Sequence, residues 1–198
     1  VDQLPTRPHP RVVVLSAGPD LVEPGMILEA DEEYETNSWL LTTAVRETGA
    51  VAYRVHSIPE DEDQLQNAIE DQLVRADLII ISGERHDDSF DLITRTLQKM
   101  GEVTAVEIAI DSSGRHNYGQ IGPDKVPVVT LPGDPIAAYI SFELLVRPMI
   151  RTMLGAATIH RPAVKARLEK GLTSQAGVRS YVRAILSEDG KSVAPLGS

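Results

Sequence analysis

The sequence predicts an α/β fold, a three-layer domain built on a mostly parallel sheet and followed by part of a small β domain. Three observations carry that expectation. Short apolar runs such as 11-RVVVLS-16 and 77-DLIIISG-83 read as strands buried on both faces. They alternate with segments of helical periodicity as far as Leu154, the order that yields parallel strands covered by helices. After Gly155 the texture changes to short alternating segments.

The elements follow in order. Residues 1–10, VDQLPTRPHP, are a Pro-broken linker. The run 11–16 is the first strand. The stretch 37-NSWLLTTAVRETG-49 has Asn37 as a cap, helical spacing and a terminal glycine. A strand over 51–58 leads to a helix over 60–76, whose first turn is acidic, as the helix dipole favours. A strand over 77–83 passes through a charged loop into a helix over 90–101. A strand over 103–110, a loop, the segment 118-YGQIG-122 and a strand over 126–131 come next. A long helix from Pro135 to about Leu154 closes the unit. Parallel crossovers should be right-handed. The first domain is set at 11–157. Residues 158–198 are a partial β domain, in which 161–172, 179–188 and 191–196 read as antiparallel strands with 187-SEDGKS-192 as a turn. The chain stops inside that pattern, as a piece of a longer protein would.

Composition narrows the function. The 198 residues are 42% apolar, enough for one good core. A net charge of −10 disfavours nucleic acid and anionic membrane surfaces as partners. The absence of cysteine excludes disulfides and thiolate metal sites and fits a cytoplasmic, reducing setting. No run approaches the roughly 20 apolar residues of a membrane span, and the start lacks the apolar core of a signal peptide.

Ligands of parallel α/β sheets sit at the C-terminal ends of the strands. Four loops are therefore candidates: 16-SAGPDLVEPG-25, 82-SGERHDDSFD-91, 111-DSSGRHNYG-119 and 131-LPGDP-135. A strand, a Pro-Gly turn and a helix start usually make an anion site. Here the turn holds Asp134, an anion itself. The 82–91 loop carries Glu84, Asp87, Asp88 and Asp91 against Arg85. Two unit charges at about 5 Å interact by roughly 3 kcal/mol at an effective dielectric near 20. Such a loop reads either as a hard-cation or basic-peptide site or as solvated acidic surface. The stretch between Arg11 and Arg46 holds Asp20, Glu23, Glu29, Asp31, Glu32, Glu33 and Glu35 with no Lys or Arg. It reads as a landing surface for a basic partner or as a flexible acidic loop. His56, His86, His116 and His160 show no metal-ligand spacing and suit structural or surface roles. There is no nucleophile elbow and no Walker loop. Trp39 reads as a core or subunit contact.

The four loops, in this order, resemble those of the molybdopterin molybdenumtransferases, the MoeA family, and of the related C-terminal region of gephyrin. The resemblance covers nearly all of 11–196. It implies a MogA/MoaB-like domain over 11–157, followed by the start of a C-terminal β-barrel, where RSYVRA resembles the family's R-x-E-F-x-R-V strand. It implies two N-terminal domains before Val1, a homodimer, and molybdenum insertion from molybdate into adenylylated molybdopterin with a divalent metal, Mg2+. Carried over residue by residue, Asp91, Asp20 and Asp61 would hold the metal or orient water, with Asp91 as the metal ligand. Ser16, Gly18, Ser82, Gly83 and Gly133 would contact the pterin phosphate, and Asn37, Ser38 and Asp134 would complete the ligand site.

The motifs also depart from the family pattern. S-T-G-D-E-L becomes 16-SAGPDL-21, and D-S-N-S becomes 35-ETNS-38, keeping Asn37 and Ser38. T-G-G-V-S-V-G-D-Y-D becomes 82-SGERHDDSFD-91, matching in Ser82, Gly83 and Asp91. A-M-K-P-G-K-P becomes 109-AIDSSGR-115, with Asp111 and Gly114 in place of both lysines, and L-P-G-N-P becomes LPGDP. Together the changes lose glycines that let a phosphate approach, two lysines that would stabilise an anion, and a neutral amide donor that becomes the acceptor-only Asp134. Arg115 is the cation left to reach in from the side. The resemblance therefore implies a MoeA-like protein with impaired or lost catalysis. The alternative is a gephyrin-like scaffold for a peptide partner, with Glu32, Glu33, Glu35, Asp87 and Asp88 as contacts.

Overall fold

The computed structural model describes residues 3, 6–18, 20–30, 32–56, 61–83, 87–111 and 114–196. Glu84 and His86, and the side chains of Asp87 and Asp88, lie outside the described residues. In chain order the elements are β1 (Arg11–Ser16), β2 (Leu21–Val22), β3 (Glu33–Tyr34), α1 (Asn37–Thr48), β4 (Val51–Arg54), α2 (Glu62–Leu73) and β5 (Leu78–Ser82). Then come α3 (Asp87–Met100), β6 (Gly101–Glu107), β7 (Arg115–Ile121), β8 (Val126–Leu131) and α4 (Pro135–Ser141). A π-helical turn (Phe142–Val146), α5 (Arg147–Met153), β9 (Arg167–Leu168), β10 (Ala184–Leu186) and β11 (Ser192–Pro195) complete the described chain.

Six strands form one sheet in the order β4-β1-β5-β8-β7-β6. The β4-β1-β5-β8 part is parallel, and β7 and β6 extend it as an antiparallel hairpin. The interiors of β1 (residues 12–15) and β5 (residues 78–81) are wholly apolar because both of their faces are covered. On one face Val12, Val14, Leu78 and Ile80 pack with Leu41 and Val45 of α1 and with Ala138, Phe142 and Ile150 of the C-terminal helical segment. On the other, Val13, Leu15, Ile79 and Ile81 pack with Leu65 and Ile69 of α2 and Ile93 and Leu97 of α3. Truncating any of these fully buried branched residues to alanine would cost about 2–5 kcal/mol. The three layers and the mostly parallel sheet are as the sequence predicts.

The differences have local causes. The strand expected over 103–110 runs from Gly101 to Glu107 and turns back into β7, most of which falls where the sequence predicts a loop. Strand β7, RHNYGQI, is too polar for its alternation to stand out. Its Gly119 lies within the ladder opposite Val103, where the two backbones come close: a Cβ there would lie 2.1 Å from the carbonyl oxygen of Glu102. Asn37 is not the cap of α1. Thr36 takes that position without a side-chain bond, and the carboxylate of Glu35 accepts the Ser38 N–H at 2.7 Å instead. Gly49 ends α1 at φ 105°, the left-handed geometry its terminal position predicts.

In the C-terminal segment β10 and β11 pair antiparallel across the 187–192 turn, as expected. Strand β9, however, pairs with β11 in parallel. The chain between β9 and β10 does not make a hairpin. It crosses back to the segment after β6, where the Arg179 N–H donates to Ala109 O at 2.8 Å and Arg179 O accepts from the Asp111 N–H at 3.1 Å. The acidic stretch after β1 is not simply a loop either, since β2 and β3 pair within it, Leu21 with Glu33 and Val22 with Tyr34.

Candidate functional site

Three neighbouring strands end level with one another. Ser16 of β1 pairs with Ser82 of β5, and Ser82 pairs with Leu131 of β8. The loops that leave these ends are therefore side by side, as strand-end position predicts. Ser16 and Ser82 are buried, and the Ala17 N–H continues the ladder to Ser82 O at 2.9 Å.

Asn37, in the first turn of α1, ties these ends together. Its Nδ2 donates to Ser82 Oγ at 2.8 Å and to Gly133 O at 2.7 Å. Ser82 Oγ donates in turn to Pro132 O at 3.2 Å. A carbonyl can only accept, so the bond to Gly133 fixes which end of the amide is nitrogen. Both amide hydrogens are thereby used. The opposite atom, Oδ1, is buried and has no partner.

A second network surrounds Glu35, which is 1% exposed. One carboxylate oxygen accepts from Ser16 Oγ at 2.6 Å and from the Ser38 N–H; the other accepts from Ser38 Oγ and lies 3.4 Å from Arg54 Nη2. Arg54 also donates to Ser38 Oγ at 2.7 Å, pairs with Glu23, and lies 4.1 Å over the ring centroid of Trp39. Burial alone would raise the Glu23 carboxyl, but bonds from His56, Arg54 and Trp39 hold it below its ordinary range. The expectation of Glu35 as a surface contact is thus corrected. It is the buried anion that orients Ser16 and Ser38. Trp39 is half-exposed rather than core. Arg54 was missed as a site residue; the available signal was a lone arginine in the otherwise uncharged strand 51-VAYRV-55.

The structure places the remaining candidates as follows. Asp134 is the N-cap of α4, accepting the Ile136 and Ala137 N–H groups at 3.0 and 2.9 Å. It occupies the donors that a bound anion would otherwise take. Asp61 caps α2 in the same way, through Asp63 and Gln64. Asp91 pairs with Arg115 at 2.9 Å, and Arg115 stacks on Phe90. Asp20 sits at the start of the β2–β3 ladder, its carbonyl accepting the Glu33 N–H at 2.9 Å. Glu32 accepts the Glu29 N–H at 2.8 Å, and Glu33 is exposed in β3. Gly18 follows β1 and Gly83 follows β5, where a Cβ would come 3.1 Å from Ile93 Cδ1. Asp111 accepts from Ser180 Oγ at 3.0 Å and so faces the C-terminal segment. Among the described residues no three His, Asp or Glu side chains gather as metal ligands. Asp20, Asp61 and Asp91 are not gathered into one such group.

A pocket of about 130 Å³ opens beside Asn37, lined also by Glu33, Glu35, Gly83, Gly133 and Pro135. A larger groove of about 820 Å³ lies along β6, β7 and β8 beneath Leu144, Leu145 and Met149. Its buried polar groups satisfy one another. His116 bonds Ser141 Oγ at 3.0 Å, and Asn117 bonds Thr94 and Thr130. The smaller pocket is the better candidate site because it lies at the strand ends and is lined by Asn37, whose buried Oδ1 has no partner. Among the described residues no helix is long and apolar enough to cross a membrane.

Comparison with known proteins agrees with this geometry. Residues 13–152 match the family model described as a probable molybdopterin binding domain. The chain is 34% identical over 182 residues to molybdopterin molybdenumtransferase 1 of Mycobacterium tuberculosis, covering 92% of this chain and 43% of that protein. It is 33% identical over 201 residues to molybdopterin molybdenumtransferase 2 of the same organism, covering 98% of this chain and 49% of that protein. It thus spans a little under half the length of these relatives. The crystal structure of a molybdopterin biosynthesis MoeA protein from Pyrococcus horikoshii superposes with a TM-score of 0.79 at 28% identity, over 96% of this chain and 46% of that one.

Proposed function

This chain belongs to the family of molybdopterin-binding domains, related to the molybdopterin molybdenumtransferases, and from that premise we propose that it binds molybdopterin, or its adenylylated form, where Ser16, Ser82 and Gly133 meet. The observation that carries the reading is the junction made by Asn37, which bonds Ser82 and Gly133 together and leaves a buried acceptor beside a pocket.

Insertion of molybdenum from molybdate is weak or lost in this protein. Among the described residues Arg54 is committed to Glu35 and Glu23, and Arg115 to Asp91. Asp134 fills the amides at the start of α4. Developing negative charge on a departing phosphate needs donors and cations held in readiness. The division near residue 157 and a homodimeric state belong to the same proposal.

Calorimetric titration with adenylylated molybdopterin, with Mg2+ and molybdate present, tests it. Micromolar binding without release of AMP is expected. Absence of binding by the folded protein would sink the ligand assignment. Efficient AMP release with molybdenum insertion would sink the claim of impaired catalysis.

A second reading is favoured by one surface. Met26 and Ile27 are 62% and 92% exposed, and Trp39 is 53% exposed, among Glu23, Glu29, Glu32 and Glu33. An acid-rimmed apolar loop suits a peptide bearing both basic and apolar residues, as a scaffold would bind. Reversing Glu29 and Glu32, which do not line the pocket beside Asn37, to Lys would abolish capture of such a peptide and leave pterin binding unchanged.

A further inference from the structure

We propose that Arg54, which does not itself line the pocket beside Asn37, is a positioning residue for it: Arg54 grips both ends of the segment 20–35, which supplies part of the pocket's lining, and ligand affinity depends on that grip. This rests on the reading of the strand-end edge as a ligand site and adds to it a residue from outside the four loops.

The segment needs support from outside itself. Its Leu21, Glu33 and Tyr34 line the pocket together with Gly83, Gly133 and Pro135 of the strand-end loops. They belong to β2 and β3, a parallel ladder of only two residue pairs, in which the Glu33 N–H donates to Asp20 O at 2.9 Å and the Glu35 N–H to Val22 O at 2.7 Å. Parallel pairing is the weaker kind, and two strands alone are marginal even when long. Between these strands the chain makes an excursion over 23–32 that exposes Met26 and Ile27. A segment with so little apolar burial opens easily unless it is pinned.

Arg54 pins it from β4. Glu23 directly follows β2, and Glu35 directly follows β3. One atom, Arg54 Nη2, pairs with both carboxylates, with that of Glu35 at 3.4 Å. The rest of the guanidinium is fixed as well. Its Nε donates to Ser38 Oγ at 2.7 Å, and its central carbon lies 4.1 Å from the ring centroid of Trp39. The Arg54 side chain is 12% exposed, so water competes little for these bonds. Glu23 is held by Arg54, by His56 Nδ1 at 3.0 Å and by Trp39. A lysine is a point charge without the planar fork that spans two carboxylates and stacks on an indole. Both ends of the segment are thereby tied to β4 and α1, and through β4 to the sheet.

Three variants of the 198-residue chain separate this grip from charge and from folding. Glu23→Ala removes the partly exposed end of the clasp and leaves Arg54 on Glu35. Arg54→Lys keeps a cation beside the buried Glu35. Glu29→Ala removes an acid of the same segment that has no ion pair with Arg54 among the described residues. Hydrogen exchange at the Glu33 and Glu35 amides reports the ladder, and exchange at the Ala17 amide, bonded to Ser82 O, reports the sheet. Glu23→Ala and Arg54→Lys should lose protection at Glu33 and Glu35 and keep it at Ala17. Their affinity for adenylylated molybdopterin, measured by calorimetric titration, should fall roughly tenfold, the worth of one charge-assisted hydrogen bond. Glu29→Ala should match the native protein in both measurements.

Native protection at Glu33 and Glu35 in Glu23→Ala and Arg54→Lys would overturn the grip. Lost protection with native affinity would sink its role in binding and leave the ligand reading standing. An equal loss of affinity in Glu29→Ala would assign the effect to charge in general, and the positioning role would fall. Should Arg54→Lys lose protection at Ala17 too, Glu23→Ala, which spares the buried pair, decides alone. If the native protein does not bind adenylylated molybdopterin, the ligand reading falls and the positioning role falls with it.

Discussion

Arg54 Nη2 lies 3.4 Å from Glu35 Oε2, beside a carboxylate that is 1% exposed and sits at the centre of the strand-end network. The pair connects β4 to the segment before α1 and holds Ser16 and Ser38 in place. Removing the cation leaves the anion buried.

Arg54→Met should therefore cost about 3–5 kcal/mol, the usual penalty for stripping one partner from a buried ion pair. The urea midpoint would report it. Adding Glu35→Gln should recover part of the loss, because the remaining hydroxyl bonds do not require a charge. A loss below about 1 kcal/mol would mean that the serine bonds alone satisfy Glu35.

Asp134 gives a second prediction. Asn and Asp are close to equal as helix caps, so Asp134→Asn should change stability by less than about 0.5 kcal/mol. Asp134→Ala, which loses the bonds to Ile136 and Ala137, should cost about 1 kcal/mol. Equal thermal stability of all three proteins would remove the cap from the account of α4.

His116 predicts how stability varies with pH. Burial lowers its pKa below the ordinary value, outweighing the bond to Gly114 O. Below about pH 6.5 the unfolded chain takes up a proton that the folded chain resists. Stability from this residue is thus full above that pH and is lost as pH falls towards the folded pKa. Urea midpoints measured between about pH 7.5 and 5 should decline for the native protein and flatten for His116→Asn. Parallel curves would disprove the assignment.

Glu143 acts in a more acidic window. Burial would raise its carboxyl, but the two 2.7 Å bonds from Arg161, with Arg147 nearby, draw it below the ordinary range. Its contribution is present above about pH 4.3 and is lost as pH falls through the folded value. Arg161 is half-exposed, so solvent screens the pair. Glu143→Gln should cost about 1 kcal/mol or less at neutral pH and nothing in strong acid. A constant difference at every pH would exclude charge as the cause.

The parts of the fold legible in the sequence are those where one physical signal dominates. The interiors of β1 and β5 are uniformly apolar because helices cover both of their faces, and Gly49 marks the end of α1 by its backbone geometry alone. Strand β7 was hidden because its polar residues, His116 and Asn117, are buried through bonds to partners far away in sequence. The same holds at the site. Glu35 looks like one acid among many until Ser16, Ser38 and Arg54 are seen to close on it. Asn37 looked like a cap because its partners Ser82 and Gly133 lie 45 and 96 residues away. Local pattern reports local causes, and these residues answer to tertiary ones.

Those separations also set the order in which the protein becomes competent. Closing long loops costs entropy before any contact rewards it, so distant pairings form slowly. A chain that has folded α1 onto β1 already carries Asn37, but Ser82 arrives only with β5 and Gly133 only with β8. The junction is thus among the last features to assemble. Formation of this junction is a report that β1, β5 and β8 have come together, and a molecule lacking any one of them lacks the junction.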